Sequence, residues 1–161
     1  MPWPGLIWHV TGPYYRDMSI PVLESDYCFA VRRAARHISQ LYEKHLAKAH
    51  VTPNQFNILC ALDLSGSMTM AELAQTMLLD RTTLVRTLQP LLRENLVDST
   101  QSPGSARALK LAITACGSQR LQTASAHWLA AQREFEVEFG EPEAGSLRTD
   151  LFRMTHNVSK S

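Results

Sequence analysis

Residues 69–114 constrain the fold more than any other part of this chain. Thr69 is followed three residues later by Glu72, the pattern of a capping box in which side chains and backbone N–H groups satisfy each other. Leu73, Ala74 and Met77 give the helix that follows one apolar face, and the pattern breaks at Leu78-Leu79. Asp80 then supplies a second N-cap, so a new helix is expected from Arg81. Its predicted inner face is Leu84, Val85, Leu88, Leu91 and Leu92, at helical spacing. Its predicted outer face is Arg81, Thr82, Thr83, Arg86 and Thr87. A capped short helix, a tight turn and a second helix with Arg and Thr outward follow the logic of a helix-turn-helix. Such a unit offers the N-terminal residues of its second helix to a DNA major groove.

Two strands are expected next. Asn95 stands where a left-handed helix cap is wanted, and Asn tolerates that geometry. Residues 96–100 form one strand candidate and residues 107–113 the other, with Leu109, Leu111 and Ile113 alternating against Ala108, Lys110 and Ala112. Between them Ser102-Pro103-Gly104-Ser105 suits a type II turn. A hairpin directly after a recognition helix is a wing. Arg107 lies on it where a phosphate or minor groove would be in reach.

These residues together resemble the MarR family of winged-helix regulators. The resemblance is carried by Val51-Thr52-Pro53-Asn54-Gln55-Phe56, Met70-Ala71-Glu72-Leu73-Ala74, Leu79-Asp80-Arg81-Thr82-Thr83-Leu84, Leu91-Leu92-Arg93-Glu94-Asn95-Leu96-Val97 and Leu111-Ala112-Ile113-Thr114 with Gly117. It covers about residues 25–158. The wing departs from the family pattern: Ser105 stands where an Asp usually precedes the retained Arg107, and Asn95 replaces a usual glycine. The resemblance implies a dimer on a pseudo-palindromic double-stranded operator. It also implies a small aromatic or phenolic effector between a dimer layer and the DNA lobe, or else oxidation at Cys28.

The 161 residues fit one domain with a sizeable core. No apolar run reaches a membrane span. The apolar start lacks the basic region of a secretory signal. Three cysteines without scaffold-like spacing point to free thiols in a reducing cytoplasm. The net charge of +1 is weak for a nucleic-acid binder, so affinity has to come from local clustering. Such clustering exists: Arg81, Arg86, Arg93, Arg107 and Lys110 outweigh Asp80, Glu94 and Asp98.

Outside this stretch the chain reads as helices. Residues 1–19 hold Trp3, Trp8, Tyr14, Tyr15 and three prolines without period. They are an irregular arm, a floppy extension, or the product of an upstream start with Met18 as the natural one. Ser25 or Asp26 caps a long helix to about Ala49, with stripes Cys28–Val31–Ala35–Ile38–Tyr42 and Tyr27–Ala34–Leu41. Two stripes mean more than one neighbour. Thr52 and Gln55 form a capping box with Pro53 at the first helical position, over a helix burying Phe56, Leu59, Cys60 and Leu62. Pro90 should bend the second helix of the helix-turn-helix, at about 3 kcal/mol unless the context compensates. Thr114 caps a helix to about Phe139, stopped by Gly140. Pro142 opens the last one, with Leu147, Leu151, Met154 and Val158 in line.

The fold expected is mainly α with a small β-hairpin wing, a winged helix-turn-helix plus a helical dimerisation layer. Residues 1–19 would be the arm, 20–50 a dimerisation helix, 51–114 the DNA-binding lobe and 115–161 the C-terminal dimerisation helices. The expected DNA contacts are Arg81, Thr82, Thr83, Arg86, Thr87 and Arg107. For sensing, Tyr27-Cys28-Phe29-Ala30 is similar to the organic-hydroperoxide-sensing branch of the family, whose matching cysteine reacts with peroxide. Tyr42 matches one of its two sulfur-binding tyrosines, and Arg32 stands at the other. A helix N-terminus and Arg32 favour a thiolate at Cys28; the alternative is an inert packing cysteine. The six histidines form no paired ligand motif, and no cofactor, metal or catalytic pattern stands out. The expected function is a DNA-binding transcriptional regulator, read as a repressor. The alternative is a protein-interaction module that keeps the fold without binding DNA.

Overall fold

The computed structural model of the chain describes residues 22–101 and 109–156. The arm at 1–19, the turn at 102–105, Arg107 and Val158 lie outside the described residues. Contacts divide the chain into two units, residues 1–37 and 38–161.

The first unit contains α1 (Val22–Ser25) and the start of α2 (Tyr27–Leu46). Of the two capping candidates, Asp26 is the cap: its carboxylate accepts the Cys28 N–H at 2.8 Å and its carbonyl the Ala30 N–H at 3.0 Å. Every described side chain from residue 23 to 37 is exposed. The stripes expected to pack through Cys28, Val31 and Ala35, and through Tyr27 and Ala34, therefore face outward over these turns. Burial on α2 begins only at Leu41, His45 and Leu46.

In the second unit, α2 ends in a 3-10 turn (Ala47–Ala49), and α3 (Pro53–Ser65), β1 (Met68–Thr69), α4 (Met70–Met77) and α5 (Arg81–Arg93) follow. Then come β2 (Val97–Gln101), β3 (Leu109–Ile113), α6 (Ala115–Phe139) and α7 (Glu141–His156). Local chemistry sets most of the boundaries. Thr52–Gln55 and Thr69–Glu72 both form complete capping boxes, and Asp80 and Thr114 each accept the N–H three residues on. Asn95 adopts φ 55 and Gly140 φ 98, so both stops are made where they were expected. Pro90 lies within α5, which continues to Arg93.

The sheet has three antiparallel strands in the order β1-β3-β2, not the two of a bare hairpin. β3 is central: Met68 faces Leu111 on one side and Ser99 faces Leu111 on the other. At two residues β1 is too short to show any period, which is why the sequence pattern does not reveal it. The core lies under this sheet and inside α3, α4 and α5. Leu46, Ile58, Leu59, Leu62, Leu73 and Leu84 are fully buried, and Leu88, Leu91, Leu96, Val97 and Leu111 nearly so.

Two residues of the expected inner face of α5 are corrected. Val85 and Leu92 are exposed, so the buried stripe narrows to Leu84, Leu88 and Leu91. On α3 the reverse holds: Ile58 is fully buried, whereas Cys60 is only half-buried. That helix packs against α4, α5, α6 and β3, and buries more than one face.

A close approach ties the lobe together. A Cβ on Gly117 would overlap the Leu96 carbonyl oxygen and crowd Ile113, so α6 can pass there only with glycine. The Thr114 hydroxyl donates to the Asn95 carbonyl at 2.7 Å and the Thr114 N–H to the Leu96 carbonyl at 3.1 Å. The α4–α5 turn is tight, and Leu78 there adopts φ 50 and ψ 41. A left-handed non-glycine residue costs roughly 1–2 kcal/mol.

Candidate nucleic-acid interface and apolar pocket

The N-terminal half of α5 is presented by its cap. Asp80 accepts from the Thr83 N–H at 2.9 Å and from the Thr83 hydroxyl at 2.6 Å. These bonds, the hydroxyl's first, hold the Asp80 carboxyl below its usual range. The cap therefore stays charged and leaves Arg81, Thr82 and Arg86 exposed on the outer side of α5. Thr83 and Thr87 are half-buried, and each has its hydroxyl engaged: Thr83 on Asp80, Thr87 on the Thr83 carbonyl at 2.9 Å. Of the five α5 residues expected to face DNA, three have exposed side chains and two brace the helix. Lys110 is exposed on β3, and it helps hold the Glu72 carboxyl low after the larger effect of the Thr69 N–H and hydroxyl.

Behind α5, Arg120 of α6 reaches the carbonyls of Ala49 and His50 and the Glu94 carboxylate, each at 3.5 Å. This clamp joins the C-terminal end of α5 to the turn before α3. Nothing in the local pattern around Arg120 announces it, because its partners lie 26 to 71 residues away.

A cavity of about 500 Å³ opens between α2, α6 and α7. Ile38 and Tyr42 line it from α2, Trp128 and Phe135 from α6, and Leu147 and Leu151 from α7. Leu78, from the α4–α5 turn, completes the wall. Its few polar groups are those of Tyr42, Gln132, Glu136, Arg148 and Thr155. The Tyr42 hydroxyl donates to Gln132 Oε1. Burial chiefly, with Glu136 adding and Arg148 opposing, raises the Tyr42 hydroxyl above its usual pKa, so it stays protonated as a donor at neutral pH. Mostly apolar walls with a few convergent polar groups are the usual make-up of a small-molecule site.

One turn further along α2, Glu134 accepts from Lys44 Nζ at 2.9 Å and from His45 Nε2 at 2.6 Å. Lys44 first and His45 second hold the Glu134 carboxyl low. Because a carboxylate only accepts, Nε2 of His45 carries the proton, and its buried Nδ1 has no partner among the described residues. The sequence pattern gave no sign of this cluster.

Of the sensing candidates, Cys28 and Arg32 are exposed in the first unit and Tyr42 is half-buried in the second. The Asp26 carboxylate accepts the Cys28 N–H at this helix start. Cys28, Cys60 and Cys116 are all free thiols. Burial, with Asp63 adding, pushes the Cys60 thiol up. Among the described residues no three His, Cys, Asp or Glu side chains converge on a metal-sized site, and no helix is long and apolar enough to cross a membrane.

Residues 51–109 match the family model for the MarR family. The structure of the transcriptional regulator MosR of M. tuberculosis in complex with DNA is 31% identical. That match covers 83% of this chain and 96% of MosR, with a TM-score of 0.73. The transcriptional repressor CouR bound to a 23-mer DNA duplex is 23% identical over 89% of this chain and 99% of its own, with a TM-score of 0.73. A mutant of E. coli MarR complexed with operator DNA is 19% identical over 78% and 91%, with a TM-score of 0.71. No curated protein matches significantly by sequence. The capped α4–α5 pair, the β1-β3-β2 sheet and the similarity to MosR over most of both chains make this chain a member of the MarR family.

Proposed function

We propose that the chain is a transcriptional regulator, a repressor, that binds a pseudo-palindromic duplex operator as a homodimer and lets go when a small aromatic or phenolic molecule enters the α2–α6–α7 cavity. The observation that carries the DNA part is the Asp80-capped face of α5, with Arg81, Thr82 and Arg86 outward. MosR, solved on DNA at 31% identity, supports it. In this reading Arg81, Thr82, Thr83, Arg86 and Thr87 enter the major groove, Thr83 and Thr87 with hydroxyls already engaged in the helix, and Arg107 meets the backbone or minor groove. Residues 20–50 and 115–161 form the dimer layer, and residues 51–114 the DNA lobe.

The test is binding of the DNA upstream of its own gene, followed by gel shift across salt concentrations. Arg86→Ala should cost about 1–3 kcal/mol and relax preference at one base position. Arg107→Ala should weaken all sequences alike and lower the salt slope by about one. Parent-like binding by both variants would refute the assignment. Truncation after Gly140 should abolish both the dimer and operator binding, read by light scattering and gel shift.

A second reading, an interaction module without DNA, draws on the net charge of only +1. It predicts no salt-dependent retention of any duplex. For the signal, the cavity is favoured over Cys28, because it gathers apolar walls and a few polar groups around a ligand-sized space, and Tyr42 lines that cavity whereas Cys28 does not. Cys28→Ser should bind DNA and answer a phenolic acid as the parent does. Loss of a peroxide response in that variant would return the signal to Cys28.

A further inference from the structure

The chain between α4 and α5 reverses in three residues: Leu78, Leu79 and Asp80. The first is left-handed, with its N–H shared between the carbonyls of Ala74 and Gln75, and the Leu79 N–H returns to Ala74 at 3.0 Å. Glycine would make this cap without strain. The chain uses leucine instead, and that side chain is 62% exposed, so no burial in the core accounts for it. What it does is line the cavity between α2, α6 and α7. Among the described residues, every other lining residue comes from one of those three helices, and Leu78 alone comes from the helix-turn-helix. Two residues later Asp80 caps α5 through both oxygens.

We propose that Leu78 is the coupling residue through which occupancy of the cavity reaches the DNA-facing end of α5. The inference rests on the reading of the cavity as an effector site. A ligand shifts an equilibrium only through contacts that differ between its two states. An apolar occupant packs on the Leu78 side chain, and the backbone carrying that side chain is the turn itself. An occupant that needs the side chain displaced moves the turn, and the Asp80 cap and Arg81 move with it. The whole lining of the cavity then holds the ligand, and Leu78 sets how much of that binding is felt by DNA.

The experiment uses the full chain and 1-anilinonaphthalene-8-sulfonate, an aromatic anion, as the probe. Its binding is read by energy transfer from Trp128, with Trp128→Phe as the control for location. DNA affinity is read by anisotropy with and without saturating probe. In the parent, the probe should raise the Kd for DNA about tenfold. In Leu78→Ala, probe-free DNA affinity should stay within about threefold of the parent and the probe should bind more weakly, while at saturating probe the coupling falls below about twofold. Leu78→Gly keeps the left-handed turn without the side chain. It should melt no lower than the parent and also lose the coupling, so a folding defect in the alanine variant leaves the test intact. Full coupling in both variants overturns this inference alone. A parent that binds the probe with unchanged DNA affinity, or does not bind it, overturns the effector reading and this inference with it.

Discussion

The lobe formed by residues 51–113 and the last helix, α7, both carry leucines and aromatics at helical spacing, yet they treat them differently. In the lobe, α3, α4, α5 and the sheet close on one another from several directions, and Ile58, Leu59, Leu62, Leu73 and Leu84 lose all contact with solvent. α7 has α6 as its main packed neighbour. Ala144 is buried there, but Leu151 and Met154 remain exposed, as does Val137 on α6. A helix with one neighbour can bury only one stripe. Among the described residues, the lobe encloses its core, whereas Val137, Leu151 and Met154 of the α6–α7 layer stay exposed.

The largest effects should come from breaking the closed region. Leu59→Ala leaves a cavity where several elements meet and should cost about 2–5 kcal/mol in chemical denaturation. A cost below about 1 kcal/mol would mean that the lobe is as loosely closed as α7. Gly117→Ala should follow at about 1–3 kcal/mol, because the Leu96 carbonyl cannot retreat without disturbing the Thr114 and Asn95 bonds.

A smaller effect concerns the seam between α2 and α6. Lys44 and His45 lower the folded-state pKa of Glu134. That stabilisation is present above the unfolded carboxylate pKa, about 4.3, and is lost as pH falls through the folded value. Glu134→Gln should therefore narrow its gap in Tm from the parent as the pH is taken from 7 down to 3. A gap that stays constant would show that the pair contributes nothing through charge. The smallest effect on stability should come from Val137→Ser and Met154→Ser, within about 0.5 kcal/mol for the single chain. If a second copy covers this surface, the same changes should lower the mass seen by light scattering, and unchanged mass would remove these two residues from the interface.

The two regions were also unequally legible in the sequence. Boundaries set by local chemistry could be read directly: Thr52, Thr69, Asp80 and Thr114 as caps, Asn95 and Gly140 as stops. The order of the helices follows from these, but the short strand β1 does not. Which face meets which neighbour does not. Periodicity gives α5 an inner face but not its width, so Val85 and Leu92 were included although they are exposed. On α3 the same reasoning missed Ile58, because a helix enclosed on several sides has no single stripe. The site divides similarly. Arg81, Thr82 and Arg86 stand exposed on α5 as the pattern suggested, whereas the hydroxyl bonds of Thr83 and Thr87 depend on rotamers. The Glu134 cluster joins residues 89 and 90 positions apart. Leu78 carries none of the Gly or Asn signals that announce a left-handed residue.

The pairing of β1 with β3 has a consequence for the order in which a growing chain can fold. Met68 and Thr69 lie just before α4, yet their partners Leu111 and Lys110 come about two thirds of the lobe's length later. A nascent chain emerging from the ribosome has made both α4 and α5 before it can close the sheet beneath them. Gly117, which lets α6 seat against Leu96, arrives later still. Domains fold as units during synthesis, and partly made ones expose apolar surface. The helix-turn-helix should therefore become protease-resistant abruptly once α6 has begun to emerge, and ribosome-bound chains arrested between Arg93 and Lys110 should remain sensitive along both of its helices.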